Sequence, residues 1–124
     1  MVTFDEAAVM LDEVAEEIPE EFYTRLNGGV NFLPRAVESP DSKKGRPLFI
    51  LGEYISCTAM GKYINIYYGS FEKVFPGASA EEMRAELKRT LVHEFTHHVE
   101  TLAGERGLVI RDEIDHELYL EGDY

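Results

Sequence analysis

The segment from residue 79 to residue 103 places the strongest constraint on how this chain can fold. Ser79 and Glu82 have the spacing of a capping box, in which the two side chains satisfy backbone N–H groups at the start of a helix. Hydrophobic residues then recur at helical spacing, at Met83, Leu87, Leu91, Phe95, Val99 and Leu102. Gly104 is a residue type that commonly ends helices. We therefore expect a long amphipathic helix that ends near Ala103 and packs one apolar stripe on a core.

This helix carries the motif His93-Glu94-Phe95-Thr96-His97. Two histidines four residues apart lie one turn above each other on the same helical face. That face is separate from the apolar stripe, so packing in the core does not explain the pair. The two histidines are therefore either metal ligands or surface residues that pair with nearby acidic side chains. Imidazoles in this arrangement can bind one zinc ion. We predict that His93 and His97 are metal ligands and that Glu94 is the general base that deprotonates a metal-activated water.

A hydrolytic zinc site has three protein ligands and a water, so the histidine pair leaves one ligand to be found. Glu105 follows Gly104, where the chain can turn back beneath the metal. Glu100 shares a helical face with His93, but it lies further along the helix axis.

A second group of candidates lies nearer the end of the chain. Glu117 stands twenty residues after His97, a spacing similar to that of the thermolysin-like zinc peptidases, whose third ligand is a glutamate on a later helix. Asp115 and His116 are neighbouring options. Spacing alone does not choose between Glu105 and Glu117.

Two other reactive residue types have structural interpretations. His98 lies near the apolar stripe, and we predict that it is a hydrogen-bonded packing residue, not a ligand. Cys57 is the only cysteine, which excludes an intrachain disulfide and a multi-cysteine metal site. We expect it to be a small buried residue of a strand.

The rest of the chain predicts an α+β fold in one domain spanning residues 1–124. It has N-terminal helices, a small, mainly antiparallel sheet of about three strands, and the long C-terminal helix with its HExxH motif. A capping box at Thr3 and Glu6 begins the first helix, which ends before Pro19. The other expected elements are a short helix over Glu20–Leu26, strands over Val30–Pro34, Leu48–Cys57 and Lys62–Tyr68, and a last helix over Asp112–Leu120.

The charge of the chain argues against several classes of partner. The formal net charge is −12, a balance that repels phosphate backbones and anionic lipid. We therefore expect no nucleic-acid partner and no membrane partner. No apolar run approaches the roughly 20 residues needed to cross a bilayer, and the first residues are acidic where a signal peptide would be basic. These features predict a cytoplasmic protein, and they do not specify its oligomeric state.

The run from His93 to His98, followed by Gly104-Glu105-Arg106, resembles the minimal zincin-like metallopeptidases of bacteria. Further similarity extends over nearly the whole chain. It includes Pro19-Glu20-Glu21-Phe22, Asn27-Gly28-Gly29-Val30, Leu51-Gly52-Glu53-Tyr54 and Tyr67-Tyr68-Gly69-Ser70-Phe71. The resemblance implies an α+β fold and zinc-dependent hydrolysis of a peptide or protein substrate. It also implies that His93 and His97 are ligands and that Glu94 is the base.

After the second histidine, the sequence differs from the pattern of the family that it resembles. Many relatives have a glycine three residues later and an acid three residues after that, whereas Glu100 and Ala103 stand at these positions here. A longer helix would move the position of the acidic ligand to Glu105, which we therefore expect to be the third ligand. Arg106 is expected to hold a neighbouring carboxylate in place. The alternative functions are a non-catalytic module that binds peptide or protein, and a domain whose metal is purely structural.

Overall fold

The computed structural model describes residues 2–41, 47–58 and 61–105, and it confirms the α+β class. Three helices are present in these ranges, together with a 3₁₀ turn at Glu20–Tyr23. The helices are α1 (Phe4–Glu17), α2 (Tyr68–Val74) and α3 (Ala80–Glu105). The strands are β1 (Gly29–Leu33), β2 (Val37–Glu38), β3 (Phe49–Ile50), β4 (Gly52–Cys57) and β5 (Gly61–Tyr67).

The main sheet has three strands in the order β1-β5-β4, and it is mixed. Strand β4 pairs antiparallel with β5, from Gly52 opposite Ile66 to Cys57 opposite Gly61. Strand β1 runs parallel to β5, with Gly29 beside Tyr63. A short connection forces β4 and β5 to be antiparallel, but β1 is distant in sequence and its direction is set by tertiary packing. Strands β2 and β3 form a separate antiparallel pair.

One hydrophobic core joins α1, the main sheet and α3. The long helix contributes the predicted stripe as far as Phe95, whose ring lies 4.8 Å from that of Tyr23. Val99 comes one turn later and is 43% exposed, so the prediction that the apolar stripe is buried to its end is wrong. The reason is tertiary, because Val99 lines an open groove together with Pro19, Phe22 and Val92.

Several local predictions need correction. The segment predicted as one strand over Leu48–Cys57 is interrupted at Leu51, because β3 pairs with β2 while β4 pairs with β5. Helix α2 was not predicted; it begins beside a tight crossing, where a Cβ atom on Gly69 would lie 2.5 Å from the backbone nitrogen of Ala36. The predicted helix Glu20–Leu26 is a single 3₁₀ turn.

The end of α3 also differs from the prediction. The helix does not stop before Gly104 but continues through it to Glu105. The predicted last helix, Asp112–Leu120, lies outside the described residues.

Candidate metal site

Helix α3 brings the two motif histidines together at its surface. The Nε2 atoms of His93 and His97 lie 2.8 Å apart, and their rings are nearly perpendicular, at 87°. His97 is only 5% exposed. The structure thus places two imidazole nitrogens at one point, as the motif predicts.

The spacing of these two nitrogens can be compared with the requirement of zinc. Two nitrogens bound at 2.0–2.1 Å to a tetrahedral zinc ion are about 3.3 Å apart. The observed separation of 2.8 Å is therefore close to what one ion needs, and a side-chain adjustment of about half an ångström would suffice. The donor set and its convergence fit zinc at two of its coordination positions.

The local environment favours the neutral form of His93. Burial, with a smaller effect of the nearby His97, lowers the pKa of His93 to about 4. A neutral imidazole offers a lone pair, which is the form that binds metal ions. At neutral pH this ring therefore needs no deprotonation before it can act as a ligand.

Glu94 lies between the two histidines in sequence, and its side chain is completely buried. It is the single acidic residue buried within residues 2–41, 47–58 and 61–105. Burial of a carboxyl group costs free energy, so such a group is rarely retained for packing alone. The sequence identified Glu94 as a candidate base, but it did not indicate this burial.

Glu105 does not lie at the histidine pair. Its carboxylate forms ion pairs with Arg25 at 3.0 Å and Lys62 at 2.8 Å, and these partners, Lys62 first, hold its pKa below the ordinary value. Because α3 remains helical through Glu105, this residue lies about 12 Å beyond His97 along the axis. The assignment of Glu105 as third ligand assumed a chain reversal at Gly104, and the continuous helix removes that reversal.

Glu100 contacts the site in a different way. Its Oε1 atom lies 3.2 Å from Nδ1 of His97, on the side of the ring away from His93. Glu100 therefore touches one histidine without sharing the point where the two Nε2 atoms meet.

The described residues do not complete a metal site by themselves. In these three ranges, no group of three or more His, Cys, Asp or Glu side chains has an arrangement that could hold a metal ion. The remaining candidates Asp115, His116 and Glu117 lie outside the described residues, as does Arg106.

The structure assigns His98 to a packing role, as predicted. Its ring is fully buried, with Nδ1 at 2.7 Å from the hydroxyl of Tyr54 and Nε2 at 2.7 Å from the carbonyl oxygen of Thr24. Burial lowers its pKa, which the bond to Thr24 partly opposes. The hydrogen bond between His98 and Tyr54 was not predicted, because residues 44 apart in sequence carry no local signal.

Cys57 is exposed at the end of β4, so its predicted burial is wrong.

Strand β4 is the edge of the main sheet that lies against the site helix. A Cβ atom on Gly52 would lie 2.9 Å from Cγ2 of Thr90, which is one turn before Glu94. Within the described part of the chain, no strand pairs with the other edge of β4. An open edge can accept an extended peptide through main-chain hydrogen bonds.

None of the helices in the described residues has the length and apolar character needed to cross a membrane.

The fold and site define an α+β domain whose long helix presents an HExxH motif beside a small mixed sheet. No protein-family model matches the chain, and no curated protein matches it. A solved structure of a conserved hypothetical protein from Thermus thermophilus is similar, with 33% sequence identity and a TM-score of 0.69. The match covers 83% of this chain and 99% of the other. The chain belongs to the same family as that protein.

Proposed function

We propose that this protein is a zinc-dependent hydrolase of peptide bonds. The observation that carries the proposal is the convergence of the His93 and His97 Nε2 atoms, 2.8 Å apart, on the helix that also buries Glu94. Two nitrogen donors and one enclosed carboxylate, in HExxH order, are the residue types that water-mediated peptide hydrolysis requires. A cytoplasmic location stays a prediction from the sequence.

In the proposed mechanism, zinc would be held by His93 and His97. When bound, zinc supplies acidification of a water molecule and polarisation of a carbonyl group. Glu94 accepts the proton of the attacking water and returns it to the leaving amine, so the carboxylate is regenerated in each cycle. The enclosure of Glu94 keeps bulk water from competing for that proton.

The substrate would lie as an extended peptide along the open edge of β4. This edge runs beside α3, as the approach of Gly52 to Thr90 shows, and a peptide paired there would pass near the HExxH turn. Main-chain hydrogen bonds would give affinity with little dependence on sequence.

The third ligand that we propose is Glu117. Spacing in the sequence left Glu105 and Glu117 as alternatives for this ligand. Glu105 forms ion pairs with Arg25 and Lys62, so Glu117 is the alternative that remains. Replacement of each residue, Glu105→Gln and Glu117→Gln, followed by measurement of zinc affinity, tests the choice directly. We expect a large loss for Glu117→Gln and little change for Glu105→Gln.

The central test is Glu94→Gln in the full chain. We expect the variant to bind zinc with the native stoichiometry and to lose turnover of a fluorogenic peptide library by a factor of at least about 100. Glu81→Gln, an exposed acid in the first turn of α3, is the matched control and should retain native turnover. Native protein that binds zinc but turns over peptides no faster than Glu94→Gln would refute the enzymatic function.

A second candidate function is a module that binds peptide or protein without cutting it. It is favoured by the absence of a third metal-ligating side chain at the histidine pair within the described residues. Peptides retained by native protein and by Glu94→Gln with equal affinity, and cleaved by neither, would select this function.

A further inference from the structure

The contact between Glu100 and His97 has a consequence for the metal site. Glu100 lies one turn after His97 on α3, and its Oε1 atom is 3.2 Å from Nδ1 of the ring. The histidine side chain is 5% exposed and the glutamate side chain is 43% exposed. The carboxylate therefore approaches a buried ring from the solvent side.

The chemistry of the two groups fixes the direction of this hydrogen bond. An ionised carboxylate can only accept, so Nδ1 of His97 must carry the proton and donate it to Glu100. A neutral imidazole has one N–H group, so Nε2 of His97 is then the nitrogen that carries the lone pair. That lone pair faces Nε2 of His93, which lies 2.8 Å away.

We propose that Glu100 is a positioning residue that holds His97 in the Nδ1–H tautomer, so that its Nε2 lone pair is presented to the metal. This inference rests on the proposed zinc site. Carboxylates that accept from the non-ligating nitrogen of a histidine fix the tautomer and orientation of the ring and increase its basicity. Glu100 would therefore act through His97 and would not itself touch the metal or the substrate.

The first test uses metal-free protein, so it does not depend on zinc chemistry. Nitrogen-15 chemical shifts of the assigned His97 ring distinguish a protonated Nδ1 from a protonated Nε2. We expect Nδ1–H in the native protein and a mixture of tautomers in Glu100→Ala. Glu100→Gln retains an acceptor oxygen and should restore the Nδ1–H form, whereas Glu86→Ala, elsewhere on α3, should leave the native spectrum.

The second test measures zinc affinity by competition with a chelator. Removal of the acceptor in Glu100→Ala should weaken binding by about 10- to 100-fold, with a smaller loss in Glu100→Gln and none in Glu86→Ala. Thermal melts of the metal-free variants should nearly coincide, because the Glu100 side chain is 43% exposed and makes little packing contact to lose.

The outcomes separate this inference from the proposed function. A native His97 protonated at Nε2, or native zinc affinity in Glu100→Ala, would overturn the role of Glu100 even if zinc binds. Failure of the native protein to bind zinc, with His97 in the Nδ1–H form, would instead overturn the proposed function and with it the metal-positioning role.

Discussion

The hydroxyl of Tyr54 lies 2.7 Å from Nδ1 of His98, and this contact ties the edge strand β4 directly to the site helix α3. The second nitrogen of His98 contacts the carbonyl oxygen of Thr24, so one buried ring joins three parts of the chain. His98 follows the ligand candidate His97, and its fixed orientation helps to set the rotation of α3 about its axis. The edge strand β4 and the histidine pair are thereby held in one frame.

Tyr54→Phe should weaken this connection without removing its packing. We expect the free energy of unfolding to fall by about 1 kcal/mol, the usual net value of one hydrogen bond, as measured by urea denaturation. Tyr63→Phe removes the same hydroxyl type from the neighbouring strand β5 and serves as the control. A Tyr54→Phe variant as stable as the native protein would show that the contact does not couple β4 to α3.

Gly52→Ala should disturb the close approach between β4 and α3. The added Cβ atom would lie 2.9 Å from Cγ2 of Thr90 and 3.0 Å from Cδ1 of Ile66, distances that force one element to move. We expect a loss of about 1 to 3 kcal/mol in the free energy of unfolding, as is typical of overpacking.

A second substitution identifies the clash that causes this loss. Thr90→Ser removes the methyl group that meets the new Cβ atom, so the double variant should recover part of the stability lost by Gly52→Ala alone. Strictly additive effects in this double-mutant cycle would contradict the proposed contact.

Ser79→Ala should destabilise the start of the site helix. The Ser79 side chain accepts from the backbone of Glu82 at 3.1 Å, and the Glu82 carboxylate accepts from the backbone of Ser79 at 2.8 Å. Loss of the cap should cost about 1 kcal/mol in thermal or urea unfolding. Ser79→Asp retains a capping oxygen and should remain near native stability; equal losses in both variants would argue against capping as the cause.

The ion pairs between α1 and α3 should make stability depend on pH in the acidic range. Lys88, and after it Arg84, lowers the pKa of Glu17 below its ordinary value of 4.5. A carboxyl group with a depressed folded-state pKa stabilises the protein above its unfolded value, and this contribution is lost as the pH falls through the folded value.

Lys88→Met tests this pH dependence. The variant should melt below the native temperature at neutral pH, and the difference should shrink as the pH falls below about 4.5. Lys73→Met, in the last turn of α2, is the control, because Lys73 forms no ion pair with another described residue. A difference in melting temperature that stays constant from pH 7 to pH 3 would contradict the expected linkage.

The elements with local signals were predicted well from the sequence. The capping boxes predicted at Thr3 and Ser79 are both present. Helical periodicity also placed His93 and His97 on one face, because a four-residue spacing means the same thing in any regular helix.

The sequence by itself determined the helices α1 and α3, the approximate position of the strands of the main sheet, and the HExxH motif, since these depend on residues that are close together in the chain. Tertiary structure alone decided that β1 runs parallel to β5, that Glu94 is enclosed, that Tyr54 contacts His98, and that Glu105 pairs with Arg25 and Lys62. These features join segments far apart in the chain or depend on what covers a helical face. The continuation of α3 through Gly104 is also a tertiary feature. A glycine permits a helix to end without requiring it, and the ion pairs of Glu105 join the end of this helix to residues that are distant in sequence.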